Sequence, residues 1–301
     1  MNGDQGLGDL MLPNFIVIGA AKAGTTPLYW YLAEHPSVFM SRVKETNYFA
    51  YGLDPEGRLL YGDPEVHKFP VRSLGDYEKL FAGATSAVAI GEASPIYLEC
   101  PQAAARIREQ LPAARIICSI RHPVDRAYSD YLMDLRHRGQ RFDPARDLTT
   151  ASVWARPDSH WMQISRYYEQ LVRYFEVFPR TQINVFLFDD LKRNPQGVMR
   201  DLYRFLGVDS SFVPDFGTPH NVGGLPSSML LEGVLTSGAL RSVAGAWVPK
   251  RAANWVRRLR TRNLRQAPPL PVELRKELTS RFRDDIQRTG ELLERNLDHW
   301  L

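Results

Sequence analysis

Gly19, Lys22, Gly24, Thr25 and Thr26 stand within eight positions of one another, directly behind the apolar run Phe15-Ile16-Val17-Ile18. Their types suit the binding of an anion. Gly24 carries no Cβ, so backbone N–H groups can approach a phosphate closely. A helix starting near Thr25 adds the partial positive charge of its N-terminus. Thr25 and Thr26 add hydroxyl donors, and Lys22 can project its ammonium into the same nest. A second set lies further on. Arg121 closes the apolar run that begins at Arg115, and Ser129 follows eight residues later, about two turns up the next helix. Arginine matches phosphate in bidentate fashion, and the serine hydroxyl can donate to the same group. The competing role for Arg121 is an ion pair with Asp125. Glu45, after a short apolar segment, is a candidate general base. Its competing role is a surface pair with Lys44 or Arg42.

The spacing of Gly19 and Gly24 equals that of a nucleoside-triphosphate loop, Gly-x-x-x-x-Gly-Lys-Ser/Thr. Here, however, Thr25 follows the second glycine and the lysine sits inside the loop at Lys22. The lysine that would reach a β/γ-phosphate pair is missing. A triphosphate-dependent kinase and a non-catalytic nucleotide-binding protein with the same fold stay as the rival readings.

The elements that must position these residues alternate between strand and helix. Residues 14–19 predict a buried strand and 25–35 a helix stopped by Pro36. Residues 38–40, 87–92, 115–120 and 182–188 predict further strands. Residues 102–111, 124–137, 167–178 and 195–206 predict helices, and 272–293 predicts one final amphipathic helix. A turn of helix is expected at 77–81, and exposed excursions at 51–71 and 214–226. This order implies an α/β fold: a single doubly wound domain over 1–301, with a central parallel sheet flanked by helices. In such folds Arg121 and Glu45 would both reach the carboxyl edge of the sheet, where ligands bind.

Bulk composition agrees. The 301 residues are 44% hydrophobic and 24% charged, as in an ordinary globular protein. A net charge of +4 fits an anionic ligand and is too small to indicate nucleic acid. The two cysteines, Cys100 and Cys118, show neither a disulfide framework nor metal-ligand spacing. No apolar stretch approaches the ~20 residues of a spanning helix. Residues 1–12 carry two acids and no Lys or Arg, unlike a secretory leader, and are expected to be flexible. The expectation is a cytoplasmic protein.

Two segments together resemble the sulfotransferase superfamily that uses 3′-phosphoadenosine 5′-phosphosulfate (PAPS). Ala21-Lys22-Ala23-Gly24-Thr25-Thr26 is similar to its Lys-x-Gly-Thr-Thr loop. Arg121-His122-Pro123-Val124-Asp125-Arg126-Ala127-Tyr128-Ser129 is similar to its Arg-Asn/Asp-Pro-x-x-Arg-x-x-Ser segment, with His122 as a departure. Gly91-Glu92-Ala93-Ser94-Pro95-Ile96-Tyr97 and Lys44-Glu45-Thr46-Asn47-Tyr48-Phe49 resemble the carbohydrate and heparan-sulfate-type branch.

The resemblance implies a role for each residue. Lys22, Ala23, Gly24, Thr25 and Thr26 would hold the donor's 5′-phosphosulfate, with Lys22 at the bridging oxygen. Arg121 and Ser129 would hold the 3′-phosphate. Glu45 would take the acceptor proton, as a glutamate does in heparan-type enzymes. Small-molecule enzymes of the superfamily use a histidine instead, for which His122 is the rival here. Lys44 would lie near the sulfate. Glu92, Ser94, Arg166 and His220 would contact the acceptor, a hydroxyl or amine of a glycan, glycolipid or secondary metabolite. The product would be adenosine 3′,5′-bisphosphate (PAP), and no metal is required.

The stretch 250–265 holds Arg251, Arg257, Arg258, Arg260, Arg262 and Arg265. The resemblance makes Arg262 part of a lid over the 3′-phosphate, although the family's Gly-x-x-Lys-Gly sequence is absent. A basic face toward a membrane surface or an anionic acceptor is the alternative reading, and a solvated helix a third. Acceptor identity and oligomeric state have no signature in the chain.

Overall fold

The computed structural model describes residues 11–62, 68–217, 225–226 and 263–301. The chain begins with β1 (Phe15–Gly19), α1 (Thr25–Ala33), β2 (Val38–Met40), α2 (Leu74–Lys79) and β3 (Ala89–Ala93). It continues through α3 (Ile96–Glu99), α4 (Ala103–Gln110), β4 (Arg115–Ile120), α5 (Pro123–His137), α6 (Pro144–Asp147) and α7 (His160–Gln163). Then come α8 (Tyr168–Val177), β5 (Ile183–Leu187), α9 (Phe188–Arg193) and α10 (Pro195–Leu206). It closes with β6 (Leu225–Pro226), β7 (Leu264–Arg265), α11 (Val272–Arg281) and α12 (Arg283–Leu293). These residues form two compact units, 1–122 with 166–220 and 285–299, and 123–165 with 221–284 and 300–301.

The first unit holds the whole five-stranded sheet. Its order is β2-β3-β1-β4-β5, and every pairing is parallel. The short apolar runs explain this. Every residue of β1 and β3 is buried, as a parallel strand covered on both faces requires. Leu28, Tyr29 and Leu32 of α1 and Met199, Leu202, Tyr203 and Leu206 of α10 pack into the same core. Asn194 caps α10 by accepting the Gly197 N–H at 2.9 Å. The chain runs from β1 out to β2, returns through β3, and crosses to β4 on the other side of β1. The carboxyl ends of β1 and β4 therefore flank the point where strand order reverses, the place where open α/β sheets form a ligand crevice.

The second unit is built on α5, which packs against α7 and α11. Arg126, buried to 1% exposure, donates to Asp130 Oδ2 at 2.6 Å, to Ser165 Oγ at 2.9 Å and to the Trp161 carbonyl. Asp147 accepts Tyr131 Oη at 2.7 Å, and its carbonyl accepts the indole N–H of the buried Trp154 at 2.8 Å. Among the described residues no helix is long and apolar enough to cross a membrane.

Two local expectations change. The strand expected to run through Phe188 ends at Leu187, and Phe188 opens α9. Asp189 and Asp190 in the first turn pair with Lys192 and Arg193 in the last, at 2.7 and 3.0 Å, which favours a helix with this polarity. The single helix expected at 272–293 is broken at Phe282, whose side chain is fully buried, near the point where the chain passes from one unit to the other. Residues 139–163, without periodicity, contain the two short helices α6 and α7.

Gly91 faces Phe15 across β3 and β1. A Cβ there would stand 2.3 Å from the Phe15 ring. Gly91→Ala is expected to lower stability by about 1–3 kcal/mol through overpacking, measured as a shift of the urea midpoint at unchanged slope.

Candidate functional site

Residues 20–24 join β1 to α1. Ser119 Oγ of β4 donates to the Ala23 carbonyl at 2.6 Å, the Ser119 carbonyl accepts the Ala20 N–H at 2.6 Å, and Arg121 Nη1 donates to the Lys22 carbonyl at 3.3 Å. The Ala23 carbonyl thus points at β4. Across the same planar peptide, the Gly24 N–H points the other way. Lys22 (φ 65°) and Gly24 (φ 85°) both take the left-handed conformation that this turn needs. Gly24 is also sterically required: a Cβ there would lie 2.6 Å from the Phe188 ring. No side chain caps the start of α1, so its first N–H groups and the hydroxyls of Thr25 and Thr26 surround one helix terminus. Thr25 is buried and Thr26 half-buried.

Arg121 stands at the end of β4, beside this loop. Its guanidinium lies 5.5 Å from the centre of the Phe188 ring, and Lys192 Nζ lies 4.8 Å from the same ring. Its Nε is buried with no hydrogen-bond partner among the described residues. Leaving such a donor unmet costs about 1–3 kcal/mol, and an anion at this place would meet it. Asp125, the competing partner expected from the sequence, instead forks with Arg275 within the second unit, at 2.5 and 3.1 Å. The strand-end arginine, the uncapped helix start and the tight glycine turn therefore fit a ligand carrying phosphate.

Glu45 lies beyond β2. Its N–H donates to the Ala93 carbonyl at 2.9 Å, and its carboxylate pairs with Lys44 Nζ at 2.5 Å. The side chain is 53% exposed, against 22% for Lys44. The backbone is left-handed at Glu45 (φ 63°) and again at Asn47 (φ 54°). His122, the rival base, is buried, at 6% exposure.

Glu92 and Ser94 were expected to line an acceptor cleft, but both are completely buried. Glu92 Oε1 accepts the hydroxyls of Tyr97 at 2.8 Å and Tyr77 at 3.1 Å, and Oε2 accepts Ser94 Oγ at 2.7 Å. Burial pushes the Glu92 carboxyl up from its ordinary range, while hydrogen bonds from Ser94, Tyr97, Thr46 and Tyr77 oppose that shift. With no exposed surface, neither Glu92 nor Ser94 is presented to an acceptor in this arrangement.

The remaining expected residues are dispersed. Arg166 is half-buried, and its carbonyl accepts Gln170 Nε2 at 2.6 Å. Ser129 lies on α5 of the second unit, half-buried. Arg262, His220 and the basic stretch up to residue 262 lie outside the described residues, and Arg265 is exposed in β7. Ser119 and Phe188 belong to the site without having been singled out. Each meets the loop through packing across at least 96 positions of chain, and no local pattern encodes that.

Gly24→Ala combines strained backbone with a clash against Phe188. It is expected to weaken binding of a phosphate-bearing nucleotide roughly ten- to hundredfold, measured by calorimetry with PAP.

The profile of the sulfotransferase family matches residues 13–212. The bifunctional heparan sulfate N-deacetylase/N-sulfotransferase 4 of Mus musculus is 28% identical over 96% of this chain, which spans 31% of that protein's length. The heparan sulfate glucosamine 3-O-sulfotransferase 3B1 of Mus musculus is 28% identical over 85% of this chain and 62% of its own. The crystal structure of a sulfotransferase from Alicyclobacillus acidocaldarius superposes with a TM-score of 0.70 at 30% identity, covering 96% of this chain and 99% of that one. With a profile match over about two thirds of its length, the chain belongs to the sulfotransferase family.

Proposed function

We propose that the chain transfers a sulfuryl group from PAPS to a hydroxyl or amine of a glycan acceptor, with Glu45 as the general base. The observation that carries the donor assignment is Arg121 at the strand end: its Nη1 donates to the Lys22 carbonyl of the turn, while its buried Nε has no partner among the described residues. A turn built for one phosphate and a separate cation for a second suit a nucleotide with phosphates at both the 5′ and 3′ positions. The glycan assignment draws support from the relatives, two of which are named for action on heparan sulfate.

The donor supplies an activated sulfuryl group whose leaving group is the 5′-phosphate of PAP. The chain's own residues hold and align it. The Gly24 N–H, the start of α1, and the Thr25 and Thr26 hydroxyls hold the 5′-phosphate. Lys22 offsets the charge that grows on the bridging oxygen as the sulfur–oxygen bond breaks. Arg121 holds the 3′-phosphate. The acceptor oxygen or nitrogen forms the new bond to sulfur, and its proton passes to the Glu45 carboxylate. For that, Glu45 exchanges its contact with Lys44 for one with the acceptor, which frees the Lys44 ammonium for the sulfate oxygens. Half-exposure of Glu45 suits a group that must meet an incoming substrate.

Calorimetry is expected to show binding of PAP without added metal, and weaker binding of ATP with magnesium. Tight ATP binding with no response to PAP would overturn the donor assignment. With PAPS and a panel of desulfated heparan oligosaccharides, Lys22→Ala is expected to reduce turnover on the order of 10²–10³-fold. Glu45→Gln is expected to reduce it on the order of 10²–10⁴-fold while PAP affinity is retained. Wild-type turnover in Glu45→Gln would remove Glu45 from the reaction.

A further inference from the structure

The reading of Glu45 as base leaves a question of position. Two residues of its segment, Glu45 and Asn47, adopt the left-handed backbone conformation that side chains other than glycine rarely take. Such a conformation persists only where the surroundings over-determine it. The segment is a loop between β2 and the single 3₁₀ turn Tyr48–Ala50, so its shape does not come from a strand or helix ladder.

The surroundings that hold it converge on one carboxylate. Ser94 Oγ donates to Glu92 Oε2 at 2.7 Å and accepts the Asn47 N–H at 3.1 Å. Tyr97 Oη donates to Glu92 Oε1 at 2.8 Å and accepts the Phe49 N–H at 3.4 Å. Thr46 Oγ1 lies 2.9 Å from Tyr97 Oη and 3.4 Å from Ser94 Oγ. Tyr77 Oη adds a third hydroxyl to Glu92 at 3.1 Å, and its ring stacks on Tyr48 at 4.5 Å. Glu92, Ser94 and Thr46 have no exposed surface, and Asn47 has 5%. Among the described residues no cation pairs with Glu92.

The chemistry gives this arrangement a direction. An ionised carboxylate only accepts hydrogen bonds. Three hydroxyls that turn their protons toward Glu92 present their oxygens elsewhere. Two of those oxygens meet main-chain N–H groups of the loop. A hydroxyl whose proton were free to rotate would offer those N–H groups no fixed acceptor. The cost of burying a charge without a cation is thus offset by three donors, and the result is a fixed pair of acceptors facing residues 46–49.

We propose that Glu92 is a positioning residue for the general base: its buried carboxylate, acting through Ser94 and Tyr97, fixes the hydrogen-bond acceptors that hold the backbone of residues 46–49 and so sets where Glu45 stands. This rests on Glu45 as base, and it reassigns Glu92 and Ser94 from acceptor contact to support of the loop.

The test compares Glu92→Gln and Ser94→Ala with the wild-type chain by hydrogen–deuterium exchange and PAP calorimetry. Glutamine keeps the volume of Glu92 but introduces a donor, and alanine removes the link to the Asn47 N–H. Exchange in the segment 44–49 is expected to rise about tenfold or more in either variant, with segment 15–26 and PAP affinity as in wild type. Turnover with PAPS and desulfated heparan oligosaccharides is expected to fall about tenfold in a Glu45-intact chain, and to fall no further when Glu92→Gln is added to Glu45→Gln. Wild-type exchange at 44–49, or an equal rise across all strands of the sheet, would overturn the proposal. Should Glu92→Gln fail to fold, Ser94→Ala decides it by the same readouts. Wild-type turnover in Glu45→Gln alone would instead remove the base assignment, while the exchange data still decide whether Glu92 holds the loop.

Discussion

The turn from β1 into α1 is the constraint on which the rest of the first unit depends. It must reverse the chain within residues 20–24 and still direct main-chain N–H groups outward. Two donors from β4, Ser119 and Arg121, take up the carbonyls of Ala23 and Lys22. Phe188, from the start of α9, fills the space that a Cβ at Gly24 would need. Two elements distant in sequence therefore converge on one short loop. The sheet order follows from the same demand, because β1 must lie beside β4 for those donors to reach it.

Charge is distributed with equal economy. Phe188 carries a cation on its ring from each of two directions, Arg121 from β4 and Lys192 from its own helix. Lys192 also pairs with Asp189 at 2.7 Å, whereas no carboxylate among the described residues pairs with Arg121, so its charge stands beside the turn as an anionic ligand requires. Glu45 and Glu92, both in the first unit, stand in opposite environments. Glu45 is half-exposed beside Lys44, whereas Glu92 is sealed among the hydroxyls of Tyr77, Tyr97 and Ser94. The same side chain is open to solvent in one setting and enclosed by hydroxyl donors in the other. Burial and hydrogen-bond partners decide which.

The family relationship accounts for the architecture. The chain spans less than a third of the length of the N-deacetylase/N-sulfotransferase 4 it resembles. What it shares with the Alicyclobacillus sulfotransferase, by contrast, extends over nearly the whole of both chains. The common part includes the parallel sheet flanked by helices.

Local features were legible from the residues alone. A β-branched apolar run, a glycine needing positive φ and a helix start are encoded within a dozen positions, so the turn at residues 19–26 was visible, as were β2, β4 and α10. Arg121 was legible because it ends an apolar strand, and the carboxyl edge of a parallel sheet is where ligands gather. Features that depend on partners far along the chain were not. Phe188 looked like the last residue of a strand and proved to be the first of a helix packed on Gly24. Glu92 reads as a cleft residue because it lies at a strand end, yet it is enclosed by Tyr77, Tyr97 and Ser94, and Ser94 Oγ accepts the Asn47 N–H from 47 positions earlier. The amino-acid order determined which residues could bind an anion or take a proton, since side-chain chemistry and backbone freedom are local properties. Only the tertiary structure decided which of them face solvent and which are buried, because burial is set by the packing of elements that no short segment contains.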